Sequence, residues 1–540
     1  MAMFEKYPSN KAIDDTDTLT CKLENAQNIN KHTEYVLRVQ RGSSKEKWNV
    51  SRRYRDFAAL HSSLQQANID LPLPPKKLIG NMQPSFIAER QIALQNYLNE
   101  VLKHQVLALS LQVRSFLDPI NYSLDIAEQA LQTVSIALRG DGRYELKGPL
   151  PDLGWRIRKH YFLVTDTESR TNCVLSWQTY GADRYLCDRD LQTAFKSLQV
   201  LSHPYIDPVL AIHNLETGAF VVRRTHENGS IRDIIYGTEY NKNHLAKYGN
   251  PKVRKPFTVG QISHYGYQIL QALKFLHEKG LPHGHIHSGN VAIENQRAVL
   301  MDLENTLMGV PCLYRPHLLH LRRASTAEAV DVYCFGRMLY EMAFAAELDS
   351  YYCDNYPDGI SQDLENVLRL CLSSTWSKHG GPSLEHLLQH PLFSRAPYNG
   401  LAMGSCDVRV HLKFPLTLKD ELKAAVANIE ARLKSEQKLV RSAKREVRIQ
   451  EILNSEEELR KQKRRAKKRE SIWKSTSSLA ETVRSQSVST ASSPTPPALP
   501  NETVTPEARS PITATCDARS SLLAAICAFD KKRLARIDSR

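Results

Sequence analysis

Polar and apolar residues alternate along TLTCKL, TEYVLRVQ and KWNVSRRY, all within residues 16–53, and Val, Tyr, Leu and Thr recur in them. A period of two built from such residues predicts three β-strands. The period then lengthens. Phe57, Leu60 and Leu64 share one face of a helix over Tyr54–Ala67. The prolines of LPLPPKKLIGN forbid regular structure and favour an extended loop. Beyond it, Leu94, Leu98, Val101 and Leu102 stripe a helix over Pro84–Leu102, and a third helix ends near Leu117, before Asp118-Pro119. Residues 123–150 mix helix and turn signals (LRGDGRYELKGPLPD) and read as a connector.

From Leu153 the pattern alternates again. RKHYFLVTD and NCVLSW predict adjacent strands. Ile262, Tyr265, Ile269, Leu273 and Leu276 mark a longer helix. Past 395, KDELKAAVANIEARLKSEQKLVRSAKREVRIQ has few Gly or Pro and predicts a long helix, solvated or in a short coiled coil. Ser471–Thr515 is rich in Ser, Thr and Pro and predicts disorder. Near the end, Leu522, Leu523, Ile526 and Phe529 fall on one helical face, with Ser520 or Ser521 as N-cap. The expected fold class is multidomain α+β, with segments 14–122, 123–150 (linker), 151–395, 396–470, 471–515 and 516–540.

The 540 residues carry a net charge of +14, concentrated where Arg460–Arg469 places eight basic residues in ten. Such a block serves as an anionic-lipid tether, a nuclear-import signal or a nucleic-acid patch. No aromatic residue interleaves with it, so nucleic acid is not expected as a partner. The ten cysteines stand singly without C-x-x-C pairs, implying reduced thiols in a cytoplasmic chain and no metal site. Met1–Asp15 has no apolar signal core, and no window of about 18 apolar residues occurs, so any membrane contact is expected to be peripheral.

The candidate chemistry centres on 281–304, LPHGHIHSGNVAIENQRAVLMDLE. This stretch resembles a protein-kinase catalytic loop, which reads H-R-D-x-x-x-x-N and later D-F-G. In that register His283 keeps the His, and His285 replaces the Asp that accepts the proton of the attacking hydroxyl. Asn290 and Asp302 keep the two magnesium-holding positions, with Leu303 and Glu304 after Asp302. The register accounts for His283, His285 and His287 without a metal. Asp331, in DVYCFGRMLYEM, matches the residue that caps the loop from below, and His317 replaces the Glu of A-P-E. Gly154 is the only glycine between 149 and 180, residues 171–183 contain no Lys, and no acid occurs from Leu191 to His203. The Gly-rich loop, the strand lysine and its helix glutamate are therefore missing. A two-lobed kinase-like fold without catalysis is expected, with no cofactor and only weak ATP–magnesium binding. The alternative is an unconventional ATP-dependent Ser/Thr kinase.

The first segment, with R-R-Y-R-D-F at its strand–helix junction, resembles a PX domain. The resemblance implies that Arg53 grips a 3-phosphate, Tyr54 stacks under the inositol ring, Lys76 meets the 1-phosphate and Arg90 bonds the far side of the ring. Leu78, Ile79 and Met82 would enter the headgroup layer beside them. The last segment resembles a WH2 motif, which implies actin contact through Leu522, Leu523, Ile526 and Leu534. The whole arrangement is similar to a family of PX-plus-kinase-like proteins. That likeness implies an adaptor peripheral on endosomal and plasma membranes, reading phosphatidylinositol 3-phosphate. It further implies roles with endocytosed receptors and sodium-pump subunits.

Overall fold

The computed structural model describes residues 13–29, 32–42, 46–76, 83–122, 125–394, 410–453, 459–465 and 467. Two compact units divide the chain, Met1–Leu453 and Asn454–Arg540. In the second, 459–465 are helical. The basic run is thus described only in part, and Leu522, Leu523, Ile526 and Leu534 lie outside the described residues, as does 471–515.

The first unit opens with an antiparallel meander of β1 (Leu19–Ile29), β2 (His32–Arg41) and β3 (Lys47–Arg53). Alternation puts Tyr35, Leu37 and Val39 on the inner face, where the helices Tyr54–Leu64 and Pro84–Lys103 cover them. Phe57 is the hinge of this core, edge-on to Tyr35, Tyr97 and Phe116, with ring centres 5.0–6.4 Å apart.

The connector expected at 123–150 is instead part of the next domain. Its helix Ile126–Asp141 buries Ala130, Val134 and Leu138, and β4 (Tyr144–Pro149) is an edge strand of a five-stranded sheet. That sheet continues with β5 (Lys159–Asp166), β6 (Asn172–Thr179), β7 (Ala211–Asn214) and β8 (Gly218–Arg224), in the order β4-β5-β6-β8-β7. The helix Asp188–Gln199 packs Leu191, Ala194, Phe195 and Leu198 into the main core. A second, mostly helical lobe is built on Val259–Glu278 and Ala327–Phe344, with the hairpin β9 (Val291–Glu294) and β10 (Arg297–Leu300) facing the sheet.

The lobes are fastened where two backbones touch. Gly181 N–H donates to Met308 O and Asp183 N–H to Gly309 O, both at 2.9 Å. A Cβ on Gly181 would lie 2.0 Å from Gly309 O, and one on Gly309, at φ +67°, 1.9 Å from Arg184 N. Only glycine permits this approach.

The long helix Leu416–Leu453 is not solvated along its length, in contrast to the expectation for 396–470. Leu418, Leu422, Ala425, Leu433, Gln437 and Val440 are buried against the kinase-like body. Gln437 Nε2 lies 2.8–3.1 Å from the carbonyls of Leu318, Leu321 and Ala324, and Glu430 accepts the Ala327 N–H at 2.9 Å. Arg315, nearly buried, joins distant segments: Asp14 at 2.8 Å, Asp183 at 3.4 Å and Glu436 at 2.6 Å. Among the described residues no helix is long and apolar enough to cross a membrane.

Gly309→Ala should cost on the order of 2–4 kcal/mol, from a clash added to backbone strain. Gly359→Ala, also at positive φ but with nothing within 4 Å, is the comparison and should cost about 1 kcal/mol. Urea denaturation of the two variants measures the difference.

Candidate functional site

At the first site, β3 ends on Arg53 and the next helix starts on Tyr54. Asp56 fixes this junction by accepting the Arg53 backbone N–H at 2.8 Å, and the Tyr54 hydroxyl donates to Pro74 O at 2.6 Å. Arg90 arrives from the facing helix, its guanidinium 4.4 Å from the Tyr54 ring centre and 4.2 Å from that of Phe86. Nη2 donates to Pro75 O at 3.0 Å. Arg90 is only 6% exposed, yet its Nε–H has no partner. Such a buried donor costs about 1–3 kcal/mol while unpaired, a penalty that an anionic acceptor would remove. Tyr54 and Arg90 are therefore in contact, with Arg53 next in the chain and Lys76 exposed just past Pro75. Leu78, Ile79 and Met82 lie outside the described residues. Arg52, pointing the other way by strand alternation, serves the fold, donating to Phe116 O at 2.9 Å and Ser115 O at 3.2 Å.

The second site lies between the lobes. Its loop frame is intact: Asp331 accepts the N–H groups of His283 at 3.0 Å and Gly284 at 2.6 Å. His283 Nε2 meets Met301 O at 2.9 Å, and Asn290 Nδ2 donates to His285 O at 3.0 Å. Asp302 holds φ at +64°, a left-handed strain that clusters at functional sites.

The groups around this frame are different from those of a phosphoryl-transfer site. Lys159 donates Nζ to Asp302 Oδ2 at 2.7 Å, from β5 rather than β6. Tyr161 pairs with Ser176 across the two strands, so Lys159, two residues along, emerges on the same face as Ser176. A lysine thus reaches the cleft from the strand next to the one that lacks it. Arg223 Nη1 stands 3.6 Å from Asp302 Oδ1, and Nη2 is 2.6 Å from Glu304 Oε2. Burial alone would raise the Asp302 pKa, but the Lys159 and Arg223 charges outweigh it and hold the carboxyl well below its usual range.

The β4–β5 loop, where a kinase has its Gly-rich loop, turns into the cleft. Trp155 Nε1–H points at His287 Nε2, 3.4 Å away. Arg156 Nη1 donates to Pro311 O at 2.8 Å, and Nη2 lies 3.1 Å from His285 Nδ1. Burial first, then the nearby guanidiniums of Arg156 for His285 and Arg232 for His287, push both imidazoles well below the ordinary histidine pKa. His285 is thus neutral, buried and engaged by an arginine, which leaves its Nδ1 unavailable to a substrate hydroxyl.

The two positions that hold magnesium in a kinase are partly engaged by protein groups. Both Asp302 oxygens face protein cations, whereas Asn290 engages the backbone through Nδ2–H and not through the oxygen that would ligate a metal. Magnesium needs open oxygen ligands and retains its waters. Among the described residues no group of three or more His, Cys, Asp or Glu is placed to hold a metal. The cleft keeps a cavity of about 160 Å³ bounded by Lys159, Tyr161, Arg223 and Asp302. Lys159, Arg156 and Trp155 were not among the residues singled out from sequence. The signal for Lys159 was present, as an inward-facing lysine one strand away from the empty position.

A PX-type lipid reader carried on a two-lobed kinase-like body with substituted catalytic positions is the class these sites define. The PX domain family matches residues 40–119. A mouse (Mus musculus) PX domain-containing protein kinase-like protein is 44% identical over 453 residues, spanning 83% of this chain and 77% of its own. The chain belongs to the PX domain-containing protein kinase-like protein family. It is also similar to the Slowpoke-binding protein of Drosophila melanogaster, 32% identical over 57% of this chain and 62% of that protein. A probable inactive serine/threonine-protein kinase, slob1 of Dictyostelium discoideum, is 25% identical over 51% of this chain and 52% of its own. The likeness thus runs to kinase-like and probable inactive kinase proteins, and the PX domain points to phosphoinositide binding and peripheral membrane association.

Lys159→Met should lower stability by about 2–4 kcal/mol at neutral pH, because it leaves Asp302 buried with less compensation. A carboxyl with depressed folded pKa contributes stability above its unfolded pKa of about 3.9 and loses it as pH falls further. The variant should therefore differ most from wild type near pH 7 and least in acid, which a denaturation series across pH measures.

Proposed function

We propose that this protein is a peripheral membrane adaptor that reads phosphatidylinositol 3-phosphate on endosomes and carries a kinase-like body without phosphotransfer activity. The observation that carries the lipid reading is Arg90, buried on the Tyr54 ring with an unpaired Nε–H. A phosphorylated inositol ring supplies the missing acceptors, with Arg53 gripping the 3-phosphate in a bidentate pair and Lys76 contacting the 1-phosphate. The absence of phosphotransfer is supported by the Arg156–His285 contact and by the engaged oxygens of Asp302. Catalysis in this fold rests on positioned metal and phosphate contacts, and these residues are committed elsewhere. The WH2-like end, through Leu522, Leu523, Ile526 and Leu534, contacts actin. The body serves membrane proteins, sodium-pump subunits and endocytosed receptors among them. The name of the Slowpoke-binding relative supports a partner of that class.

Arg53→Gln should abolish binding to liposomes containing phosphatidylinositol 3-phosphate, a loss on the order of 2–4 kcal/mol for a charged hydrogen-bonded pair. Unchanged sedimentation with such liposomes at moderate salt would defeat the lipid reading. For the tail, Leu522→Asp with Ile526→Asp should eliminate capture of monomeric actin, since both charges would enter an apolar cleft. Capture equal to that of wild type would remove actin from the proposal.

A further inference from the structure

Two thiols meet beneath the cleft. Cys312 follows Pro311, whose carbonyl holds Arg156, and Cys334 lies in the helix Ala327–Phe344. Their sulfurs are 3.7 Å apart, and the Tyr314 N–H donates to Cys312 Sγ at 3.4 Å. Among the described residues this is the one sulfur–sulfur contact between cysteines. Cys312 also lines a cavity of about 80 Å³ with His285, Thr306, Arg315 and Leu433. A small oxidant entering that cavity meets Cys312 before Cys334, which is fully buried.

The chemistry of the two sulfurs differs. The hydrogen bond from Cys334, helped by the Tyr314 N–H and the Arg156 charge, outweighs burial and holds the Cys312 thiol below its ordinary pKa. Burial drives Cys334 the other way. Cys371, equally buried, is raised by desolvation alone and behaves as an inert apolar side chain. Cys312 is thus the attacking sulfur and Cys334 the resolving one.

We propose that Cys312 and Cys334 form a redox modification site, oxidised by hydrogen peroxide to an intramolecular disulfide. The Cys312 thiolate attacks one peroxide oxygen, the O–O bond breaks, and the departing hydroxide takes up the thiol's proton as water. Cys334 then attacks the sulfenic sulfur, the S–O bond breaks, and the hydroxyl leaves with the Cys334 proton as a second water. Two thiols lose two electrons in all, and one peroxide becomes two waters. The sulfurs must close from 3.7 Å to about 2.05 Å. That movement draws on Pro311, which holds Arg156, and on Arg315, three residues further on. Oxidation therefore acts where the cleft loop and the long helix are anchored. A reversible bond suits a reducing compartment, where disulfides are transient and regulatory.

The test uses the full chain, titrated with hydrogen peroxide, quenched, alkylated in denaturant and mapped without reduction by mass spectrometry. The expected product is a Cys312–Cys334 linked peptide, returned to free thiols by dithiothreitol, while Cys371 stays alkylated. Cys334→Ser should raise trapping of sulfenic acid at Cys312 by dimedone several-fold. Recovery of both cysteines as free thiols after exposed Cys187 is fully oxidised would overturn the proposal. So would a linked peptide that forms only in urea. If Cys334→Ser loses its circular-dichroism signature, the wild-type map alone decides.

Discussion

A single buried guanidinium sets how the parts of this protein assemble. Arg315 lies in the segment between the cleft and the helix Ala327–Phe344, and its side chain is 8% exposed. It reaches Asp14, ahead of the first sheet, Asp183, in the loop before the small-lobe helix, and Glu436, on the long helix. A buried arginine without partners is strongly destabilising, so the three carboxylates must arrive together. Arg432 adds a second cation on Asp183 at 2.8 Å. Burial first, then the Asp14 charge, raises neighbouring Asp17 to about 6. A kinase opens and closes its lobes to exchange nucleotide. Here the Gly181–Gly309 contact and the Arg315 cluster hold the lobes as one body, a constraint compatible with a scaffold.

The same logic gives Asp302 a structural role of its own. A buried carboxylate needs a cation, and β6 offers only Ser176 at the usual place. Lys159 supplies the charge from the adjacent strand, and Arg223 adds another. The pair is then a structural unit, and losing either member alone is costly while both remain buried. Asp331 is retained on similar grounds. Its two oxygens hold the backbone of His283 and Gly284, and that turn is required for packing whether or not a substrate is ever bound.

Local periodicity made much of this legible. The three strands over 16–53, the helices that follow and the helix striped by Ile262, Tyr265 and Ile269 carry their own pattern of apolar positions, whereas the loop capped by Asp331 was named from its motif. What stayed hidden depends on contacts far apart in sequence. Lys159 reads as an ordinary strand residue until the β5–β6 register places it beside Ser176. Tyr144–Pro149 is short, contains Gly148 and Pro149, and looks like a turn because its pairing with β5 includes a bulge between Leu146 and Gly148. The long helix was read as solvated or in a short coiled coil, and its buried face is interrupted by Arg432, Glu436 and Gln437. Those polar residues are satisfied by Asp183, Arg315 and three carbonyls, none nearby in the chain. In the lipid-type site, Arg53, Tyr54 and Arg90 were named from their motif, whereas the unpaired Nε–H of Arg90 could be seen only in three dimensions.

Rigid attachment decides what such an arrangement can do at a membrane. Arg158 binds Asp15 at 3.1 Å and Asn121 O at 3.1 Å, and Asn250 donates to Asn68 O at 2.9 Å. Leu245 of the kinase-like body is buried in the core of the first domain. Gly249 packs so tightly on Ala67 that a Cβ would lie 2.4 Å from its carbonyl oxygen. The lipid-type site and the body therefore turn together. On the reading proposed above, docking at Arg53, Tyr54 and Arg90 orients the whole body relative to the bilayer, instead of tethering it by a flexible linker. A fixed orientation restricts which surfaces face a membrane-embedded partner and raises their effective concentration there, provided that the geometry allows both contacts at once. Selectivity for the partner can then come from the pose as well as from the contact surface, a use of the kinase-like fold that requires shape and stiffness and no turnover.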